Sequence, residues 1–125
     1  MEFQTRFGQT DILNSRMKLE SYWLSSESQD DLSQAIGTAG EKITEVVFKR
    51  KLDGSVFILA DFFSQVTTCL KSELCHLRTT CAVFRNHVVA LRNTYFDIFK
   101  KWEKRWGENL GEGPYQYFST RCPKD

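Results

Sequence analysis

Residues 55–106 read SVFILADFFSQVTTCLKSELCHLRTTCAVFRNHVVALRNTYFDIFKKWEKRW. Apolar side chains recur along this stretch at Leu59, Phe63, Val66, Leu70, Leu74, Leu77, Cys81, Phe84, Val88, Leu91, Tyr95, Ile98, Trp102 and Trp106. Every step is three or four residues, and the mean step lies nearer the α-helical repeat of about 3.6 than the 3.5 of a supercoiled seam. No glycine falls between Gly54 and Gly107, and both prolines, Pro114 and Pro123, come later. The pattern predicts helix throughout. Arg78, Thr79 and Thr80 offer a possible break, because β-branched residues lower helix propensity. However, Leu77, Cys81 and Phe84 stay in phase across it, which favours one continuous helix of about 75 Å.

A second apolar row, Phe62, Cys69, Val83, Ala90, Thr94 and Phe99, widens the buried face, so two helices are needed to cover it. The opposite surface carries Asp61, Gln65, Lys71, Arg78, Arg85, Arg92, Lys100 and Lys104, read as a solvated face. Upstream, Ile12, Leu13, Met17, Leu19 and Leu24 place a helix over 9–24. Leu32, Ile36, Ala39, Ile43, Val46 and Val47 place another over 28–52, capped by Ser26 or Ser28 and weakened in its middle by Gly37 and Gly40. Those glycines suit a close helix approach better than a hinge. Downstream, Gly107, Gly111, Gly113 and Pro114 end the long helix, and Tyr115, Tyr117 and Phe118 follow at strand-like spacing.

The expected architecture is therefore all-α. It is an elongated helical hairpin or a three- or four-helix bundle, coiled-coil-like, with one long helix over about 55–106. A single helical domain over 1–107 is followed by a Gly- and aromatic-rich tail over 108–125. A β-rich chain of 125 residues would need turn residues every ~8–12 positions, which the breaker-free stretch denies. Two helices shorter than the third leave its far end bare, at Tyr95, Phe96, Ile98, Phe99, Trp102 and Trp106. Exposing such side chains costs about 1.5–3 kcal/mol each, so this end is the expected partner interface. Its occupant would be helical subunits, a second copy, or the tail folded back, the last being preferred to a linear docking segment.

Seventeen basic and sixteen acidic side chains balance to +1, which argues against a polyanion binder as a description of the whole chain. The charge is nevertheless uneven: residues 1–45 carry four basic and eight acidic groups, and residues 46–107 carry eleven and five. Acidic helices lying beside the basic one would account for this. Locally, Lys100, Lys101, Lys104 and Arg105 interleave with Trp102 and Trp106 near a helix end, a pattern suited to phosphate or an anionic membrane surface. Nucleic acid is not an expected partner.

The four cysteines are Cys69, Cys75, Cys81 and Cys122. On one continuous helix, residues six apart point away from each other and lie ~9 Å apart along the axis, too far for a disulfide among the first three. Cys122 reaches one of them only if the tail folds back. Buried reduced thiols in a cytoplasmic protein are the expectation, in keeping with a start, residues 1–8, that lacks a basic segment followed by an apolar run.

Catalysis finds no support. His76 and His87 are ~16 Å apart on a continuous helix, and no zinc-ligand spacing occurs. Gly37-Thr38-Ala39-Gly40 lacks the lysine of a phosphate loop, and Asp30 and Asp31 suit a capping segment. No catalytic residue, metal site, cofactor or small-molecule substrate is expected. The leading expectation is a non-enzymatic helical subunit or adaptor of a cytoplasmic multiprotein complex. The alternatives are a secreted four-helix-bundle ligand of cytokine type, with Cys122 paired back to the bundle, and a peripheral membrane-binding helical protein.

Overall fold

The computed structural model describes residues 10–122. Among them there are seven helices and no strand: α1 Thr10–Leu24, α2 Ser26–Gln34, α3 Ala39–Lys49, α4 Asp53–Lys71, α5 Leu77–Thr94, α6 Phe96–Trp106 and α7 Glu112–Arg121. The fold is all-α, as the spacing predicts. Residues 1–8, on which the reading of the chain start rests, lie outside the described residues, as do Gln9 and Pro123. The chain divides into two compact units, Met1–Leu59 and Ala60–Asp125.

In the first unit, α1 follows the expected segment, with Ile12 and Leu19 buried and Met17 and Leu24 exposed. The helix expected over 28–52 is two helices. Gly37 takes a φ of +121°, a conformation that side chains rarely adopt, and the chain turns there. Thr38 then restarts the helix with a capping box: its hydroxyl accepts from the Glu41 N–H at 3.2 Å, and Glu41 accepts from the Thr38 N–H at 3.0 Å. Ile36, placed on the apolar stripe by spacing, sits in this turn and is 88% exposed. Neither Ser26 nor Ser28 caps α2. The N-cap is Ser25, and the buried Ser28 hydroxyl instead donates to the carbonyls of Ser25 (2.8 Å) and Trp23 (3.2 Å).

A polar cluster ties three helices of this unit together. Asp31 of α2 accepts two bonds from Arg50, at the end of α3, in a fork from Nε (2.7 Å) and Nη2 (3.0 Å). It accepts a third from the Tyr22 hydroxyl of α1 at 2.6 Å. Lys49 lies 3.5 Å from Asp31 and Glu27 lies 3.5 Å from Arg50. Hydrogen bonds from Arg50 and then Tyr22 hold the Asp31 carboxyl well below the ordinary carboxylate range. Burial, reinforced by the Asp31 carboxylate, pushes the Tyr22 hydroxyl up to about 12.

The single helix expected over 55–106 is three segments. α4 ends at Lys71, and Glu73 adopts a left-handed φ of 61°. Around it the Leu74 N–H donates to the Cys69 carbonyl (3.0 Å) and the Glu73 N–H to the Leu70 carbonyl (3.1 Å). That pair of bonds is a Schellman stop. The same motif closes α3, with Lys51 at φ 57° and bonds from Leu52 to Val47 and from Lys51 to Phe48. A new helix starts after His76, whose ring Nδ1 accepts from the Thr79 N–H at 3.3 Å. The break thus lies at 72–76 and not at Thr79–Thr80, which belong to the first turn of α5. The in-phase run Leu77, Cys81, Phe84 lies wholly within α5, so it carries no information about the break. Leu74, on the predicted stripe, is 83% exposed. A second interruption falls at Tyr95, whose φ of −108° and ψ of 25° close α5 and open α6 after the poor helix formers Asn93 and Thr94.

These breaks overturn the long helix and, with it, the argument against local disulfides. Because the chain reverses at Glu73, Cys75 returns beside Cys69, with Cα atoms 5.3 Å apart, and the two are bridged. Cys81 of α5 is bridged to Cys122, with Cα atoms 5.7 Å apart. No described cysteine is a free thiol, contrary to the expected reduced state.

The tail does fold back, but as a helix. Pro114 sits in the first turn of α7, where its missing N–H is not needed. Gly111, just before α7, lies so close to the Phe99 ring that any Cβ there would collide with it. Arg92 pairs with Glu112 (3.1 Å) and lies over the rings of Phe96 (4.6 Å) and Tyr115 (4.1 Å). Arg92, expected on a solvated face, is therefore half-buried, and Arg85 has its Nε buried without a hydrogen-bond partner. Gln116 and Arg92 together lower the Glu112 carboxyl below its ordinary value. In the core of this second unit Phe62, Phe63 and Phe84 meet edge to face, with centroids 5.5–6.0 Å apart.

Candidate interaction groove

The residues expected to form a bare partner interface are mostly covered within the chain. Ile98, Phe99, Tyr95 and Trp102 are buried, Phe96 is half-buried beneath Arg92, and only Trp106 is exposed, at 56%. The expectation of a bare end assumed a helix that outruns its neighbours. With the helix broken at 72–76 and again at Tyr95, and with α7 returned against Phe99, that surplus length does not exist. Trp106 stacks on Trp102 with centroids 5.7 Å apart.

The four cations near this end are all exposed on α6. Lys100 lies 5.1 Å from the Phe96 ring and Arg105 lies 6.0 Å from Trp106. They remain available to an anionic surface. Among the described residues, no cluster of three or more His, Cys, Asp or Glu is arranged to hold a metal ion. Likewise no described helix is long and apolar enough to cross a membrane.

A concavity lies elsewhere in the second unit. It is a groove of about 1120 Å³ between the 72–76 turn, the start of α5 and the outer end of α7. Cys75, bridged to Cys69 of α4, is among its lining residues. Leu74 of the turn and Leu77 of the first turn of α5 line it, 83% and 36% exposed. Tyr117 of α7 also lines it, with Lys71 Nζ and the Arg121 guanidinium each 5.9 Å from its ring. Arg78 completes the basic rim, against a single acid, Glu73. Three leucines (Leu70, Leu74 and Leu77), a tyrosine and three cations thus share one concave surface.

Sequence reasoning placed Leu74 and Leu77 on the core stripe and Tyr117 in a strand-like tail, so it missed the groove. One signal was available: Lys71-Ser72-Glu73 is the first run of three residues without an apolar one after Gln65. It sits between two cysteines six apart, a spacing that closes only across a turn.

No family model, curated protein or solved structure matches this chain.

Proposed function

We propose that this chain is a non-enzymatic, disulfide-stapled helical protein of an oxidising compartment that acts by binding a protein partner, in the manner of a small secreted helical ligand. The observation that carries the reading is the pairing of every described cysteine. Disulfides form and persist outside the reducing cytosol, and small extracellular domains use them where the core alone is marginal. The two bridges sit where that logic requires: one fixes a turn of six residues, and the other ties the last helix to α5 across 41 residues. A cytoplasmic complex subunit is the weaker reading, since its motive was an uncovered apolar end, and four of those six residues are buried. The polar groups brought together in the first unit satisfy one another as a fork of Tyr22, Asp31 and Arg50, which supports a structural role rather than a reactive one.

The test is the intact mass of the protein from its native source, alkylated without reduction. The proposal expects no alkylated cysteine and a mass lower than the thiol form by one hydrogen per cysteine. Four alkylated thiols would contradict it and return the chain to a reducing compartment.

A second reading has its own observation. Lys100, Lys101, Lys104 and Arg105 are all exposed beside the exposed Trp106, which suits an anionic membrane surface. It requires sedimentation with phosphatidylserine vesicles that weakens as salt rises. Absence of binding at low salt contradicts it.

A further inference from the structure

We propose that the groove beside the Cys69–Cys75 turn docks an acidic peptide segment of the partner protein, one that carries aliphatic side chains among its carboxylates. This deepens the reading of the chain as a protein-binding ligand and rests on it.

Charge complementarity selects the occupant. Lys71, Arg78 and Arg121 line the groove against one acid, Glu73, so an acidic segment meets complementary charge there and a basic one meets like charge. Arg78 and Arg121 present planar guanidinium forks, which match carboxylates in bidentate fashion. The N-terminal end of α5, with its positive end of the helix dipole, opens at the same place and adds to the preference for negative charge.

Apolar content and residue type argue for a peptide. Leu74 and Leu77, 83% and 36% exposed, line the groove together with Tyr117, so aliphatic side chains of a partner can pack among its cations. Tyrosine and arginine are also the residue types that dominate protein interfaces. The turn that carries Leu74 is held in advance by the bridge and the Schellman stop. Little order therefore has to be created on binding, which lowers the entropic cost of docking.

The experiment uses the full oxidised chain. Fluorescence polarisation is followed with a short fluorescein-labelled peptide of alternating glutamate and leucine pairs. Its lysine-for-glutamate counterpart and phosphatidylserine vesicles serve as competing probes. The variants are Arg78→Glu with Arg121→Glu, and separately Leu74→Ser. All three positions are exposed, so circular dichroism is expected to be unchanged. The proposal expects the glutamate peptide to bind and the lysine peptide not to. It expects each variant to weaken binding by roughly tenfold or more.

No binding of the glutamate peptide, or binding that the variants leave unchanged, overturns the proposal. So does equal binding of the lysine peptide. Vesicle binding that depends on Arg78 and Arg121, without peptide binding, assigns the groove to a lipid headgroup instead. Light scattering that shows a dimer dispersed by Leu74→Ser assigns it to a second copy. In each of these cases the intact mass still decides the broader reading, because both bridges can be present whether or not the groove takes a peptide.

Discussion

Cys122, one residue beyond α7, is covalently joined to Cys81 in the second turn of α5, so the last described helix cannot leave the body of its unit while the bridge is intact. The loop it closes spans 41 residues, and the loop-entropy relation assigns such a bridge about 4 kcal/mol. The Cys69–Cys75 bridge, closing only six, is assigned about 2 kcal/mol. Replacing Cys81 and Cys122 by alanine is therefore expected to lower unfolding free energy more than replacing Cys69 and Cys75. Denaturant titration of the two double variants measures the difference, and equal losses would contradict it.

Gly111 faces Phe99 with no room for a side chain. Gly111→Ala forces the ring or the start of α7 to move, an overpacking that costs about 1–3 kcal/mol. A Gly113→Ala control, where the added Cβ meets nothing within 4 Å, is expected to be near neutral. Thermal unfolding of the pair gives the comparison.

Glu73 occupies a left-handed position that glycine fills without strain. Glu73→Gly is expected to raise stability, by up to about 1 kcal/mol after the extra entropy of an unfolded glycine is deducted. Its side chain is exposed, so no packing is lost. A loss of stability in denaturant titration would show that the turn draws on contacts other than its backbone bonds.

Asp31 supplies an acid-sensitive element. Its folded-state carboxyl titrates below the ordinary value because Arg50 and Tyr22 hydrogen-bond the charged form. Its contribution is therefore complete above the unfolded value of about 4 and is lost as pH falls from there toward the folded value. Tyr22 has the opposite sense: with its hydroxyl raised to about 12, its contribution is complete below about 10 and fades as pH rises toward the folded value. Asp31→Asn is expected to flatten the acid side of the stability profile and to weaken the protein at neutral pH, since Arg50 loses its charged partner. An unchanged acid profile in the variant would place the sensitivity elsewhere.

The helical class was legible because residues 55–106 carry no breaker and keep a helical step, and both properties are local. The breaks were not, because neither is made by glycine or proline. Glu73 and Lys51 each take the left-handed stop position that usually marks itself with glycine. Tyr95 interrupts the helix without disturbing the phase of Leu91, Tyr95 and Ile98, all of them buried. One break was readable: Thr38-Ala39-Gly40-Glu41 spells the capping box that the structure forms, and Gly37 before it takes the turn. The candidate groove depended wholly on the missed turn at 72–76. Once Cys69 is paired with Cys75, Leu74 leaves the core stripe and is exposed, lining the same groove as Tyr117.

The central claim is that two defined bridges staple a helix broken at residues 72–76. Proteolysis of the alkylated, unreduced protein followed by mass spectrometry of the linked peptides tests it directly, because four cysteines allow three pairings. The account predicts Cys69 joined to Cys75 and Cys81 joined to Cys122. A peptide joining Cys69 to Cys81 or Cys122, or Cys75 to Cys81 or Cys122, or four alkylated thiols, would contradict it.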